Sequence, residues 1–475
     1  MTVRLYDSKR QETTDFVPIV AGQVGLYVCG PTVQSSPHIG HLRSALVYDL
    51  WRRWLGYRGF DVTLVRNVTD IDDKILANAS TTDADGEQWW ALAYRYELEF
   101  TDGYNQLGIL PPTYEPRATA SITQMQSIVQ RLIDNGHAYP AGDGSGDVYF
   151  DTASWPAYGE LTNQNPRDMV AAGDADPRGK RAPQDFALWK GHKSTEPASA
   201  AWESPWGAGR PGWHIECSAM SSRYLGANFD IHGGGLDLRF PHHENELAQS
   251  TAAGDAFANY WVHNGLVNVN GQKMSKSLGN SIYASEFLEL ARPLVVRYYL
   301  GAAHYRSTID YHDGALVEAE AALERIEVFL DRSLRRIANT RFAATGLPVV
   351  PEEFAEAMDD DLAVPQALAV LHDRVRAGNA ALDAEDLALV ATLRAEVLAM
   401  AEVLGINPDA PQWATASSAP AERALTSLVE RLIADRQIAR ETRDFSAADR
   451  IRDELVAAGI SIEDTPSGPH WSIES

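Results

Sequence analysis

The sequence predicts an α/β protein: a parallel-sheet domain split by an inserted connective segment, then a helical bundle and a small C-terminal module. Three observations carry that expectation. A strand, a helix and a second strand succeed one another between Val24 and Asp70, a βαβ unit whose strands lie parallel. The strand pattern resumes at Asn228, beyond a long turn-rich stretch. From Asp313 to about residue 405 the chain repeats Ala, Leu, Glu and Arg in a helical pattern.

Each element has a local cause. VGLYVCG (Val24–Gly30) is a short apolar run closed by glycine and reads as a buried strand. In the following SPHIGHLRSALVYDLWRRWL, Ser35 or Ser36 can cap a helix and Pro37 suits its first position. Leu42, Leu46, Leu50 and Trp54 then trace an apolar stripe. DVTLVRNVTD (Asp61–Asp70) is the second strand. These elements form the first half of the sheet domain, residues 1–125. Residues 126–209 are the insertion: a helical piece (Ile122–Asn135) leads to the turn-rich GDGSGD and the strand VYF. Within it, 164–185 has almost no large apolar residue and reads as a mobile surface loop. NFDIHGGG (Asn228–Gly235) resumes the sheet in 210–265. In 266–312, Asn270-Gly271 is a strong hairpin signal. The bundle covers 313–406, a Pro/Ala/Ser linker 407–422, and the last module 423–475.

At 475 residues the chain exceeds one ordinary core, and about three domains are expected. No run approaches the roughly 20 apolar residues of a membrane span, and MTVRLYDSKRQETTDF lacks a signal-peptide core. A soluble cytoplasmic chain without membrane association is the plain reading. The net charge of -24 argues against general polyanion binding but leaves room for a folded RNA on a local basic face. The arginines from Arg292 to Arg341 are interspersed with glutamates, so charge alone favours an ordinary mixed helix surface.

Two patterns carry chemistry. His38-Ile39-Gly40-His41 stands at a helix start after a strand, where free N–H groups and the helix dipole suit a triphosphate. His38 and His41 lie one turn apart and can face one ligand, while Gly40 lets a flat base approach the backbone. Alone, H-x-G-H reads as well as two surface histidines. The second pattern, Lys273-Met274-Ser275-Lys276-Ser277, places two ammonium groups three residues apart, able to follow charge developing on leaving pyrophosphate. Alone it is a solvated loop; the pair of motifs in one chain makes both bland readings untenable. Of the two cysteines, Cys29 ends the strand before the HIGH loop and Cys217 lies in GRPGWHIECSAM, while FPHHENELAQS makes a third cluster. If that segment is helical, His242 and Glu246 share a face at i, i+4, with His243 and Glu246 the runner-up. Two thiolates, an imidazole and a carboxylate suit zinc, yet by spacing alone two buried cysteines and a polar helix start weigh equally.

With both motifs in hand, the chain resembles the class I aminoacyl-tRNA synthetases, whose signatures are written HIGH and KMSKS. CGPT…HIGH, RNVTDIDDK, GRPGWHIECS, GGGLDLRFPHHENE and KMSKSLGN, in that order, are similar to the cysteinyl-tRNA synthetase set from Cys29 to Asn280. Weaker similarity continues through AMDDDLAVPQAL and DFSAADRIRDEL. The resemblance implies a Rossmann-type catalytic domain, a stem-contact region at 266–312 and an anticodon-binding module at 423–475. It implies activation of L-cysteine with ATP and Mg²⁺ as cysteinyl-adenylate, transfer to the 3′ end of tRNA(Cys), and a monomer. His38 and His41 would stabilise the α-phosphate, and Lys276 with Lys273 the leaving pyrophosphate. The carried-over Zn²⁺ ligands are Cys29, Cys217, His242 and Glu246. Zinc would bind the substrate sulfur and separate cysteine from serine, where shape alone cannot; the insertion, about 85 residues, then needs no proofreading site.

Other residues have two readings each. Trp213 closes over substrate or fills a core. Thr69 holds the substrate's ammonium or carboxylate group. Asp237 binds that ammonium or the ATP ribose. Gly233, Gly234 and Gly235 admit ATP to the backbone or make a tight turn. Asp70, Asp72 and Asp73 cluster but are a poor dedicated Mg²⁺ site. Trp471 and the arginines from Arg431 to Arg452 are candidate tRNA contacts. The family commonly has Tyr-Asp where this chain has Gln34-Ser35, which bears on the loop before His38. The alternatives are a cysteine:amino-sugar ligase of mycothiol synthesis, which needs no anticodon reader, a nucleotidyltransferase lacking the quartet and KMSKS, and an inactive tRNA-binding paralogue.

Overall fold

The structure of the protein is a computed structural model describing residues 2–80, 86–164, 178–274, 279–338, 340, 342, 349–413, 418–465 and 468–473. The side chains of 418–424, 463–465, 468 and 473 lie outside that description. The chain forms two compact units, Met1–Pro408 and Asp409–Ser475.

The first unit opens with an antiparallel hairpin, β1 (Arg4–Asp7) and β2 (Glu12–Asp15). β3 (Gln23–Val28) follows, buried on both faces over Leu26–Val28. The chain crosses through α1 (Ile39–Tyr57) to β4 (Asp61–Arg66), parallel to β3 in continuous register. Leu42, Leu46, Leu50 and Trp54 are all buried on α1, and each such side chain contributes about 1.5–3 kcal/mol of burial. The helix starts later than Ser35 or Ser36 and Pro37 suggest. His38 is the N-cap: its Nδ1 accepts the Gly40 N–H at 3.1 Å, and His41 Nδ1 accepts the His38 N–H at 3.1 Å. This reciprocal cap leaves Pro37 outside the helix. The second strand ends at Arg66, earlier than Asp70; the chain then runs as a loop, with a bridge between Thr69 and Thr32.

After α2 (Asp73–Ala79), α3 (Trp89–Gln106) and α4 (Ile122–Asp134), the chain builds an antiparallel sheet in sequential order, whose last strand runs past the expected boundary at 209. Its strands are β5 (Ala138–Pro140), β6 (Val148–Phe150), β7 (Phe186–Gly191) and β8 (Gly209–Pro211). Most of the loop at 164–185 lies outside the described residues. Its last part is tied down: Arg178 donates to Asp147 at 2.8 Å, and Asp185 accepts the Tyr139 hydroxyl at 2.6 Å.

α5 (Trp213–Leu225) leads back to β9 (Asn228–Gly235), and α6 (Glu244–Ala252) to β10 (Phe257–Asn264). The four strands of the main sheet are all parallel, in the order β10-β9-β3-β4. The three glycines therefore end a strand and do not make a turn. β11 (Val267–Val269) and β12 (Gln272–Lys273) form the hairpin signalled by Asn270-Gly271, both with positive φ (50° and 75°) as a two-residue primed turn requires. α7 (Ala284–Glu289), α8 (Pro293–Ala302) and β13 (Ile309–Tyr311) precede the helical region of α9 (Ala315–Ile337), α10 (Glu352–Asp359), α11 (Val364–Asp383) and α12 (Leu387–Leu404).

The aspartates of AMDDDLAVPQAL tie that helical region to the sheet domain. Asp359 accepts the Trp54 indole N–H at 3.2 Å, Asp360 pairs with Arg4 at 3.0 Å, and Asp361 accepts the Tyr6 N–H at 2.7 Å and the Tyr305 hydroxyl at 2.6 Å. Arg297, buried in α8, donates to Asp49 at 2.6 Å and to the Leu404 and Leu107 carbonyls at 2.9 Å.

The second unit packs α13 (Ser418–Glu441), α14 (Phe445–Ala457) and the hairpin β14 (Ile460–Thr465) and β15 (Gly468–Ile473). Its core is Val429, Ile433, Leu455 and Ile460, and Trp471 is partly buried against it.

Candidate active site

β3 sends its chain to β4 on one side and β9 to β10 on the other, so the topology reverses between β3 and β9. A crevice opens at the carboxyl ends of strands at such a point. Here it holds about 430 Å³, a volume suited to a small ligand. His38, Gly40 and His41 line it from α1, Cys29 from the end of β3, and Lys273 from the hairpin.

The two histidines stack with ring centroids 3.7 Å apart. Both Nδ1 atoms accept backbone N–H groups, so the neutral rings carry their protons on Nε2, as donors. The Phe100 ring stands edge-on to His41 at 5.0 Å. A Cβ on Gly40 would lie 3.0 Å from the His38 ring and 3.4 Å from Met274 Cε, so this glycine makes room for its own motif and for the lysine loop. The chain after that loop is pinned to the start of α1: Ile39 N donates to Ile282 O at 3.1 Å and Ala284 N to Pro37 O at 2.8 Å. The HIGH and KMSKS segments, far apart in sequence, thus share one wall. Lys276, with Ser275 and Ser277, lies outside the described residues.

Cys29, Cys217, His242 and Glu246 converge in the interior, their ligand atoms all within 4.8 Å of one another. Cys29 Sγ lies 3.6 Å from Cys217 Sγ and 3.3 Å from Glu246 Oε1, which is 3.0 Å from His242 Nε2. Tetrahedral bonds to zinc would set these edges near ~3.8, ~3.6 and ~3.4 Å, so the donor set fits an ion of that size. The i, i+4 spacing holds because the chain, extended at Phe240, is already helical at His243 and runs straight into α6. Outer contacts aim the ligand atoms: His232 Nε2 is 2.8 Å from Glu246 Oε2, and His214 Nδ1 is 2.9 Å from His242 Nδ1. These leave Oε1 and Nε2 turned toward the sulfurs. His243 is 2.8 Å from His263 Nε2 and belongs to a second grouping with Cys29, His232 and Glu246. Burial, then the neighbouring Cys217, pushes the Cys29 thiol well up, and burial holds His242 well below its ordinary range in the neutral ligand form.

Trp213 lines the cleft and stacks on His242 at 4.1 Å. Gly235 and the exposed Asp237 also line it. Gly233 and Gly234 have another reason to be glycine: a Cβ would lie 2.3 Å from the Tyr48 ring and 2.7 Å from the His243 ring. Thr69 stands behind the wall, fully buried, with its hydroxyl donated to Glu216 at 2.7 Å. The three aspartates after it diverge. Asp70 accepts from Thr119 at 2.9 Å, Asp72 caps α2, and Asp73 pairs with Lys190 and Arg210 across the insertion. Sequence reasoning passed over His214, His232, Arg66 and Lys74; the histidines carry no spacing signal, since β9 and α5 meet α6 only in the fold.

The family described as the tRNA synthetases class I (C) catalytic domain matches residues 15–321. The DALR domain matches 353–407 and the cysteinyl-tRNA ligase anticodon-binding domain 422–471. The cysteine–tRNA ligase of Clavibacter sepedonicus is 72% identical over 482 residues, and that of Leifsonia xyli 72% over 477, each covering 100% of both chains. Among solved structures, Mycobacterium tuberculosis methionyl-tRNA synthetase with methionyl-adenylate superposes at TM-score 0.57 and 17% identity, over 81% of this chain and 90% of that one. An Agrobacterium radiobacter leucyl-tRNA synthetase ternary complex does so at 0.59 and 14%, over 84% and 87%. At such identities these structures share the fold alone.

Proposed function

The chain belongs to the class I cysteinyl-tRNA synthetase family, and from that premise we propose how its residues divide the work of a cysteine–tRNA ligase. In the first step the cysteine carboxylate oxygen attacks the ATP α-phosphorus, and the bond to pyrophosphate breaks. His38 and His41, protonated on Nε2, donate to the α-phosphate oxygens as charge builds there. Lys273 and Lys276 neutralise the leaving pyrophosphate, with Mg²⁺ accompanying ATP. In the second step a hydroxyl of the terminal ribose of tRNA(Cys) attacks the adenylate carbonyl carbon and AMP leaves.

Cys29, Cys217, His242 and Glu246 would hold Zn²⁺. The ion would supply a site that binds a thiolate far better than an alcohol, and so favours cysteine over serine. Trp213 closes the cleft over that site, Asp237 and Gly235 face the nucleotide, and Gly40 serves the motif it sits in. Residues 1–125 and 210–265 form the catalytic domain around the 126–209 insert, and 266–312 contacts the acceptor stem. The bundle at 313–406 and the linker at 407–422 carry the anticodon-binding module at 423–475. The amino-sugar ligase reading is not favoured, because residues 422–471 match an anticodon-binding domain that such a ligase does not need. No described helix is long and apolar enough to cross a membrane. We further propose a cytoplasmic monomer, with a solution mass near 52.1 kDa by light scattering.

The observation that carries the zinc reading is the convergence of both cysteines with His242 and Glu246. The test is charging of total tRNA with labelled cysteine, together with metal analysis of wild type and Cys217→Ser. One zinc per chain, lost in the variant along with cysteine activation, is expected. Wild-type cysteine activity and serine rejection in a zinc-free Cys217→Ser protein would overturn it.

A further inference from the structure

Among the described residues, the lysines and arginines that line the cleft are Arg66, Lys74 and Lys273. Arg66 is engaged: it donates to Glu115 at 2.7 Å and covers the Tyr104 ring at 4.2 Å. Lys273 lies on the hairpin beyond β10, on the side where pyrophosphate leaves. Lys74 follows β4, at the opposite end of the sheet order β10-β9-β3-β4. It is exposed, and among the described residues no carboxylate pairs with it. Its neighbour Asp73 meanwhile takes both Lys190, at 2.8 Å, and Arg210.

The placement of Lys74 is specific. α2 is fixed by Asn78, whose amide donates to Gln34 O at 2.8 Å. Lys74 precedes Asn78 by one helical turn and shares its face. That face looks onto the loop carrying Thr32 and Gln34, between Cys29 and the HIGH motif. The ammonium therefore stands at the rim of the cleft on the β4 side, facing an opening and not a carboxylate. The triphosphate has its donors in His38, His41 and Lys273. A rim cation on the far side suits a ligand that enters the cleft while most of it stays outside.

We propose that Lys74 binds a backbone phosphate of the tRNA 3′ end and positions the terminal ribose for acyl transfer. This rests on the ligase reading above and deepens it. Lys74 is a positioning residue: it touches the nucleic acid backbone and none of the reacting atoms.

The experiment uses full-length enzyme with tRNA(Cys) transcript, comparing Lys74→Met and Lys74→Arg with wild type. Cysteine-dependent pyrophosphate exchange reports activation, and charging reports activation plus transfer. Wild-type enzyme without cysteine-dependent exchange would refute the ligase reading itself, separately from the role of Lys74. For Lys74→Met, kcat/KM for tRNA should fall about tenfold, the loss of one charge-assisted contact. The slope of log(kcat/KM) against log salt should become shallower by about 0.7, one single-strand phosphate. Lys74→Arg should restore the slope. An exchange rate or KM for cysteine or ATP impaired as much as charging would assign the cation to a small substrate and overturn the proposal. Unchanged charging and salt slope in Lys74→Met would overturn it equally.

Discussion

Replacing Arg297 with Met tests whether one buried ion pair joins α8, α1 and the end of α12. Arg297 is 1% exposed and spends its donors on Asp49 and on the Leu404 and Leu107 carbonyls. Burial works to raise the Asp49 carboxyl, but Arg297 and then Arg53 outweigh it and hold its pKa below the ordinary value. Methionine fills similar volume but takes one guanidinium from the carboxylate and the side-chain donor from two helix-end carbonyls. Breaking a buried pair from one side costs about 3–5 kcal/mol. Arg53, at 2.8 Å, and the Leu110 N–H, at 2.9 Å, still serve Asp49, so the lower end, about 3 kcal/mol, is expected. In a thermal scan the transition of the Met1–Pro408 unit should fall by about 3–4 °C. Adding Asp49→Asn should recover part of that loss, because the buried charge that has lost one of its two guanidinium partners is then gone. A single variant melting with wild type, or a double variant losing the sum of the two singles, would refute the reasoning.

Three further outcomes follow from the geometry. Gly233→Ala should cost about 1–3 kcal/mol and lower exchange activity, since Tyr48 is anchored to Gly234 O and Val262 O at 2.9 Å and cannot yield; Gly56→Ala, with nothing within 4 Å, should be neutral or stabilising in the same melts. Lys190 and Arg210 outweigh burial and hold the Asp73 pKa at about 2. Its contribution is therefore present above the unfolded value near ~3.9 and lost as pH falls toward ~2, so Asp73→Asn should flatten stability against pH in that window. Thr69→Val should cost about 1–3 kcal/mol by leaving the Glu216 carboxyl without its donor; a raised KM for cysteine with unchanged melting would instead place the hydroxyl on substrate.

The legible parts of the sequence were those with local causes. Apolar periodicity marked α1, the Asn270-Gly271 pair marked its hairpin, and the βαβ order required a parallel sheet. The two motifs together singled out the HIGH histidines and Lys273, and the family resemblance named the quartet candidates, which spacing alone left level with a bland reading. The start of α1 was misplaced because an imidazole capped the helix where Ser35 or Ser36 was the conventional choice. Thr69 and Gly233–Gly235 were legible as special, but not for what: in the fold the hydroxyl meets a buried carboxylate, and two of the glycines meet aromatic rings.

What the sequence determined by itself is therefore the set of chemical groups and the elements that carry them, because backbone preference, capping and side-chain period act over a few residues. What only the tertiary structure decided is which groups meet. Cys29 and Cys217 come within 3.6 Å across 188 positions, and His214 and His232 settle behind the quartet. Among the described residues no carboxylate pairs with Lys74, while Asp73 beside it takes two cations. Such pairings depend on how strands order in a sheet and which helix covers which face, and burial and electrostatics fix these over the whole domain.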